Sequence, residues 1–590
     1  MCGIFAYSGL QQNATDIIYT GLKRLDYRGY DSWGIAVLEG QEIKLDKYVG
    51  KIDLNLPHLP TSQIGIGHTR WATHGSVTQI NAHPHAASDN SFVLAQNGIV
   101  ENFESLKTEL MAKGYLFITQ TDTEVIVRLI EDKKKEQPDL VAAVRAAFLE
   151  LEGRNTIIIL TKTGQIIAAR NGSPLVLGTA NQGAETYLSS DTLSFAPYVD
   201  QVLVVENGQL VTLTNQQLQL FNIKTGQAEA MHFEANAVQD TQVDTQGFDH
   251  FMIKEIFDTP QVIKNLLQMT EVEYQPFFEA VKNAHQVYTI GSGTAGAAAA
   301  QIAYYLRKLA HIPAVSLIGA EAQEYSDLFT TNDLIIAPSQ SGETADVLEI
   351  LEPAKQKGVK IASLVNMPGS MMSRMSDFKF MANAGPEICV VSTKVFTAQI
   401  AWGYLIAQGV AGKFSAAIAD LNNLVVQIQS YLIDESLKQN LDHIAEHLSH
   451  KQHVFLLSKA QNLQIIKEGM VKIIESSYLH AHAIPAGDLK HYAITLMEPG
   501  VPVIFIISDD EVQKDVENAL HEVKARGAEI IEISTHRHEQ ADFYLPVPDL
   551  GQVNAIMNII PVQLLAYQLA LKLGHDVDKP RNIAKSVTVK

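Results

Sequence analysis

An α+β amino-terminal domain followed by two α/β domains with doubly wound parallel sheets is what the sequence predicts, on three observations. Residues 2–234 are dense in short β-type runs broken by Gly, Asn and Asp, with few helical stretches. Beyond residue 250, buried strand runs alternate with long amphipathic helices, the pattern of βαβ units. This second part also repeats itself: His285–Ile290 is echoed by Gln452–Leu457, and Leu334–Ser339 by Val503–Ser508. Val287 and Val454 stand 167 positions apart, and Gly358 and Gly527 stand 169 apart, so the repeating unit is a whole domain rather than a solenoid turn.

Taken in order, Gly34–Leu38, Phe92–Ala95, Thr156–Leu160 and Val202–Val205 read as strands of the first domain. Ala14–Leu25, Phe103–Lys113 and Thr123–Lys133 read as its helices. Residues 235–250, with Asn236, Gln239, Asp240, Gln242 and Asp244, have little apolar surface to bury and read as a linker. The two α/β repeats then span 251–435 and 436–575, and 576–590 form a tail.

A chain of 590 residues is too long for one core and accommodates several domains at about 100–200 residues each. With 46% hydrophobic and 19% charged residues it is neither disordered nor fibrous. Forty-five Lys and Arg against 65 Asp and Glu give a net charge of −20, which argues against nucleic acid or an anionic membrane as the main partner. Two cysteines exclude a disulfide framework and suit a reducing cytosol. The first residues lack a basic stretch followed by an apolar run, so a cytoplasmic protein with a native N-terminus is expected.

One cysteine, Cys2, follows the initiator Met. Removal of Met1 would leave thiol and α-amine on one residue, and an amine titrating near ~8 can take the thiol proton and return it to a leaving group. The competing reading is a small buried packing residue. Around it stand Arg28-Gly29-Tyr30-Asp31-Ser32, His68-Thr69-Arg70-Trp71-Ala72-Thr73-His74-Gly75, Asn81-Ala82-His83-Pro84-His85, Gln96-Asn97-Gly98 and Thr121-Asp122-Thr123-Glu124. With Cys2-Gly3-Ile4, these resemble the N-terminal-nucleophile (Ntn) glutamine amidotransferases over the whole first domain.

That resemblance implies a fold of β-sheets sandwiched between helical layers, with Cys2 as nucleophile. The Asn97 amide and the Gly98 N–H would form the oxyanion hole, Arg70 would grip the carboxylate of glutamine, and Asp122 its ammonium group. Thr73 and His74 would shape the pocket, Trp71 would gate an ammonia channel, and Arg28 would support the nucleophile's loop. Gln96 departs from the histidine usual before Asn-Gly in close relatives. His68, His74, His83 and His85 lack zinc-type spacing, so neither a metal nor a cofactor is expected.

In the first repeat, Gly291-Ser292-Gly293-Thr294-Ala295-Gly296 lies between a strand and a helix but lacks the dinucleotide and P-loop patterns. Ser339-Gln340-Ser341-Gly342-Glu343-Thr344 ends an apolar strand with hydroxyls, an amide and helix N–H groups, a small anion cradle that could equally be a capping turn. Together these resemble the sugar-isomerase (SIS) domain family. The resemblance implies phosphate contacts from Thr294, Ser339, Gln340, Ser341 and Thr344, and a sugar lining from Glu387–Ser392, including Val390 and Ser392. Ala295 departs from the family's serine, and Cys389 reads as a packing residue.

In the second repeat Glu468, Lys472 and Glu475 fall at i, i+4 and i+7 on one helix face, by default a solvated salt-bridge face. The family match instead implies that Glu475 moves a proton between C1 and C2 of a sugar, with Lys472 in the same pocket. It makes His491 the ring-opening acid–base, shared across subunits of a homodimer, although Tyr492-Ala493 replaces the usual Gly-Pro after it. Lys585, in the tail, would form a Schiff base with the open-chain ketose. Read as a whole, the chain resembles the isomerising glutamine:fructose-6-phosphate amidotransferases, which implies L-glutamine and D-fructose 6-phosphate as substrates. A non-catalytic sugar-phosphate sensor would need none of Cys2, Glu475 and Lys585.

Overall fold

The computed structural model describes residues 2–236 and 244–587. Residues 237–243 of the linker expected at 235–250 therefore lie outside the described residues. Two compact units emerge, Met1–Gln242 together with Ala584–Lys590, and Val243–Ile583.

The first unit is built on two antiparallel sheets, of eight and seven strands. In the first, Gly3–Ser8 lies between Glu185–Ser189 and Ile64–Arg70; in the second, Phe92–Gly98 pairs with Asn155–Thr161. Side-chain alternation decides what each face meets. Ile4, Ala6 and Ile66 from one sheet pack against Val93, Ala95, Ile158 and Leu160 from the other. The opposite faces are apolar too: Phe5, Tyr7 and Ile35 bury Ile18 and Leu22 of the helix Ala14–Arg24. Phe92, Leu94 and Ile159 bury Leu106, Ile126, Ile130 and Val144 of the helices Phe103–Ala112, Thr123–Glu136 and Leu140–Phe148. The order is helix, sheet, sheet, helices, the sandwiched arrangement the sequence predicts.

The helix Leu140–Phe148 is absent from the sequence reading, although its N-cap is plain: Asp139 accepts from the Ala142 N–H at 2.9 Å.

The second unit holds two five-stranded parallel sheets of one plan. The first runs in the order Ala314–Ile318, Val287–Gly291, Leu334–Ser339, Lys360–Val365, Phe378–Met381; the second runs His480–Pro485, His453–Ser458, Pro502–Ile507, Glu529–Ser534, Phe543–Pro546. Both faces of each sheet are covered, as parallel sheets require. Val454 and Leu456 face a core shared with Val287 and Ile302, whereas Phe455 and Leu457 face a local core with Leu489 and Leu520. Among the described residues one helical stretch, Gly551–Lys572, is long and apolar enough to cross a membrane, but 94% of its apolar window is buried.

Candidate active site

Alternation along the strands places the amino-terminal residues. Cys2 shares the parity of Ile4 and Ala6, and His68 and Arg70 that of Ile66; Asn97 shares that of Val93 and Ala95. All four thus point between the two sheets, and Gly3 pairs with Thr69, bringing Arg70 and Trp71 beside Cys2. The Cys2 Sγ accepts from the Trp71 N–H at 3.3 Å, and the Asn97 amide donates across to the Cys2 carbonyl at 3.0 Å. Burial pushes the Cys2 thiol up, while the Trp71 N–H and the Arg70 charge oppose it. Gly98 adopts φ 131°, and a Cβ there would stand 2.1 Å from the Arg154 carbonyl, so only glycine fits where the backbone N–H is offered.

Arg70 is buried, and its guanidinium donates to the carbonyls of His74, Gly75 and Ser76, which shapes the loop 74–76 rather than leaving the fork free. Asp122, also buried, accepts from the Val100 N–H at 2.9 Å; burial raises its pKa, and that N–H and His74 oppose the shift. Arg28 pairs with buried Asp191 at 2.9 Å, and Tyr27 donates to the same carboxylate. His74 meets Phe103 edge-on, Trp71 is half-buried and Thr73 is exposed.

Gln96, the departure noted above, is fully engaged: its amide donates to Asn155 at 2.7 Å and its oxygen accepts from Thr123. His68, His83 and His85 lie in a buried row, the first two rings tilted and the last two edge-on, with centroids 4.3 and 4.7 Å apart. Burial depresses all three, His68 to about 3, so they are neutral at physiological pH. Asp31 was missed as a positioning group; it accepts from the Ala72 N–H at 2.8 Å and so fixes the backbone after Trp71.

In the second unit the turn 339–344 joins the strand Leu334–Ser339 to the helix Ala345–Gln356, leaving helix N–H groups at its mouth. Ser339 Oγ accepts from the Gly342 N–H at 2.9 Å and Ser341 Oγ from that of Glu343 at 3.2 Å, while Thr344 is the N-cap without a side-chain cap bond. Gln340 is half-buried, and its carbonyl accepts from the Asn366 N–H at 3.1 Å. Gly342 has φ 66°, and a Cβ would come 2.2 Å from Ser370 Oγ. Glu387 organises the neighbouring loop by accepting from the N–H groups of Thr393 and Val395 and from Ser392 Oγ. Val390 and Cys389 are buried there.

Thr294 lies in the first turn of the helix Gly293–Leu309. Its hydroxyl donates to Glu468 at 3.1 Å and accepts from Lys472 at 3.0 Å, tying the first repeat to the second. The helix Leu463–Ser477 buries Glu468 and Lys472 completely, so the solvated-face reading fails for both: packing, which helical spacing does not reveal, covers that face. Lys472 lies 2.6 Å from Glu475 and 3.2 Å from Glu468. Burial alone would lower Lys472, but the two carboxylates outweigh it and hold its pKa up. Burial raises Glu468 to about 7, against the pull of Lys472 and with the push of Glu475.

His491 ends the short turn Ala486–His491 and is exposed. Within the tail, the segment up to Ile583 packs with the second unit and residues from Ala584 group with the first.

Comparison with known proteins agrees with this division. A glutamine amidotransferase domain model matches residues 57–247, and an SIS domain model matches 280–408 and 447–573. A glutamine–fructose-6-phosphate aminotransferase (isomerising) from Pyrococcus horikoshii is 36% identical, and those of Thermus thermophilus and Aquifex aeolicus 35%, each alignment covering 100% of both chains. The chain belongs to the isomerising glutamine–fructose-6-phosphate aminotransferase family. Its second part is also similar to the solved C-terminal domain of the glucosamine–fructose-6-phosphate aminotransferase of Francisella tularensis, at 30% identity and TM-score 0.53, covering 57% of this chain and 100% of that one.

Proposed function

We propose that the chain performs its family's reaction, converting L-glutamine and D-fructose 6-phosphate into L-glutamate and D-glucosamine 6-phosphate, the first step of hexosamine biosynthesis. The Cys2 thiolate attacks the side-chain carbonyl of glutamine, and Asn97 and Gly98 stabilise the oxyanion. Ammonia leaves, and water cleaves the thioester to glutamate. Arg70, once its guanidinium turns from the carbonyls of the loop 74–76, and Asp122 select a free amino acid through its carboxylate and ammonium, within the pocket of Trp71, Thr73 and His74 held by Arg28.

On the sugar, Ser339, Gln340, Ser341 and Thr344 hold the phosphate and Val390 and Ser392 line the chain. Thr294 joins the phosphate contacts once its hydroxyl leaves Glu468. His491 opens the ring and Lys585 condenses with the C2 carbonyl, losing water; the ammonia released at Cys2 then adds at C2 and displaces the Lys585 amine, and Glu475 moves the proton from C1 to C2 of the resulting imine, its charge set by Lys472. We place this chemistry in a cytoplasmic homodimer in which His491 serves the neighbouring subunit; exposed Tyr492 (50%) and Leu496 (53%) beside it offer apolar surface for such a contact.

The observation that carries the reading is the pairing, in one chain, of a Cys2 whose thiol accepts from the Trp71 N–H and whose carbonyl accepts from the Asn97 amide with a buried lysine held between two carboxylates. Cys2→Ala tests the division of labour: glutamine use should vanish while isomerisation of the sugar phosphate persists, and equal loss of both would refute two separate sites.

A further inference from the structure

The segment Asp576–Arg581 does more than end the chain. Asp578 gives both carboxylate oxygens to the start of the helix Phe251–Leu266, Oδ2 accepting from the Phe251 N–H at 2.9 Å and Oδ1 from that of Met252 at 2.8 Å. The helix's own N-cap residue, His250, makes no capping bond; its ring meets the Tyr567 hydroxyl instead. Two donors that every helix start leaves open are thus met by an anion 327 and 326 positions away, the sign the helix dipole favours.

The same residue reaches the loop Glu387–Ser392 through its backbone. The Asp578 carbonyl accepts from the Val390 N–H at 2.9 Å, and the adjoining Val577 carbonyl from Cys389 Sγ at 3.3 Å. From the other side, Glu255 on the helix Phe251–Leu266 accepts from the N–H groups of Ile388 and Cys389 at 2.5 and 3.2 Å. Residues 388–390 are therefore fixed between a helix carboxylate and the tail, and Asp578 joins that tail to that helix.

The segment is itself stiff. Asp576 accepts from the N–H groups of Asp578 and Lys579 at 3.1 and 3.0 Å, and Val577 is fully buried. Its far end grips the other repeat: the Arg581 N–H donates to the Tyr478 hydroxyl at 2.9 Å, and the guanidinium lies 4.2 Å over that ring. Tyr478 is the left-handed C-cap of the helix that carries Glu468, Lys472 and Glu475.

We propose that Asp578 is a positioning residue for the sugar site, strapping the loop 387–392 to the helix Phe251–Leu266 so that substrate binding does not have to order the loop. The inference rests on that loop's assignment to the sugar. A tail that merely anchored the chain end would need the buried Val577 but not a carboxylate and a carbonyl of one residue directed at two different elements.

The test compares two full-length variants. Asp578→Asn replaces one acceptor oxygen with an amide donor facing an N–H. Thr270→Ala removes a cap of similar weight, the capping box of the helix Glu271–Asn283, away from the loop. The KM for fructose 6-phosphate should rise about tenfold in Asp578→Asn, the scale of a lost charge-assisted bond, and stay at the wild-type value in Thr270→Ala, with the KM for glutamine as internal reference. An equal rise in both variants, or none in Asp578→Asn, overturns the proposal.

Hydrogen exchange on the wild-type protein keeps the question open to refutation should Asp578→Asn not fold. The amides of Phe251, Met252 and Val390 should exchange with one common opening free energy, and a Val390 amide that opens independently of the other two contradicts the strap. A wild-type protein that made no amino sugar would remove the sugar assignment while leaving this exchange result to judge the strap alone.

Discussion

Glu468→Gln probes the buried cluster directly. Glu468 is fully buried, and its carboxyl moves from 4.5 to about 7. At ~1.36 kcal/mol per pKa unit this is a cost of about 3 kcal/mol for keeping the group ionised in the folded protein. The sign follows from proton counting. Between the unfolded and folded pKa values the folded chain holds more protons than the unfolded chain, so stability falls as pH rises from 4.5 to about 7 and is lowest above that. The amide that Glu468→Gln introduces cannot ionise, and Lys472 keeps Glu475 as its ion-pair partner at 2.6 Å.

Thermal unfolding of wild type and Glu468→Gln from pH 5 to 8 therefore follows the group, because titrations uncoupled from it cancel in the difference and Lys472, its pKa held up by Glu475, stays charged throughout. The transition of the sugar unit is marked by its upward shift with fructose 6-phosphate. The wild type should lose about 2–3 kcal/mol relative to the variant as pH rises across this window. Parallel stability curves, or a difference that grows in the opposite direction, would refute the assignment of a costly buried charge to Glu468.

Two glycines give geometric tests. Gly98→Ala places a methyl 2.1 Å from the Arg154 carbonyl and should lower kcat for glutamine hydrolysis by ~10²–10³, the scale of one lost oxyanion donor; stopped-time glutamate assays read it, and a loss below threefold would count against the Gly98 N–H. Gly342→Ala brings a Cβ 2.2 Å from Ser370 Oγ at φ 66°, so the KM for fructose 6-phosphate should rise by about tenfold or more while glutamine kinetics serve as reference, and an unchanged value would remove the 339–344 turn from the phosphate site.

Where the sequence was readable, local chemistry made it so. The duplicated domain shows in strand runs such as Val287–Ile290 and Val454–Leu457, whose burial on both faces leaves continuous apolar text. Cys2 stood out by its place after Met1, and Asn97 and Gly98 through the resemblance of Gln96-Asn97-Gly98 and its neighbouring motifs to the amidotransferases. What stayed hidden depends on pairings between distant positions. Nothing near Thr294 announces Glu468 and Lys472, more than 170 residues on. Asp31, Asp191 and Asp578 are ordinary acids in the text and become specific only when the fold brings the Ala72 N–H, the Arg28 guanidinium and a helix start against them. The helical face of Glu468, Lys472 and Glu475 carries the same letters whether solvated or buried, and only the packing of neighbouring helices decides.

The most direct measurement of the whole reading uses glutamine labelled with ¹⁵N in its side-chain amide, incubated with the purified chain and fructose 6-phosphate. The account requires ¹⁵N to appear in glucosamine 6-phosphate in one-to-one proportion with glutamate. Glutamate accompanied only by free labelled ammonia would contradict it.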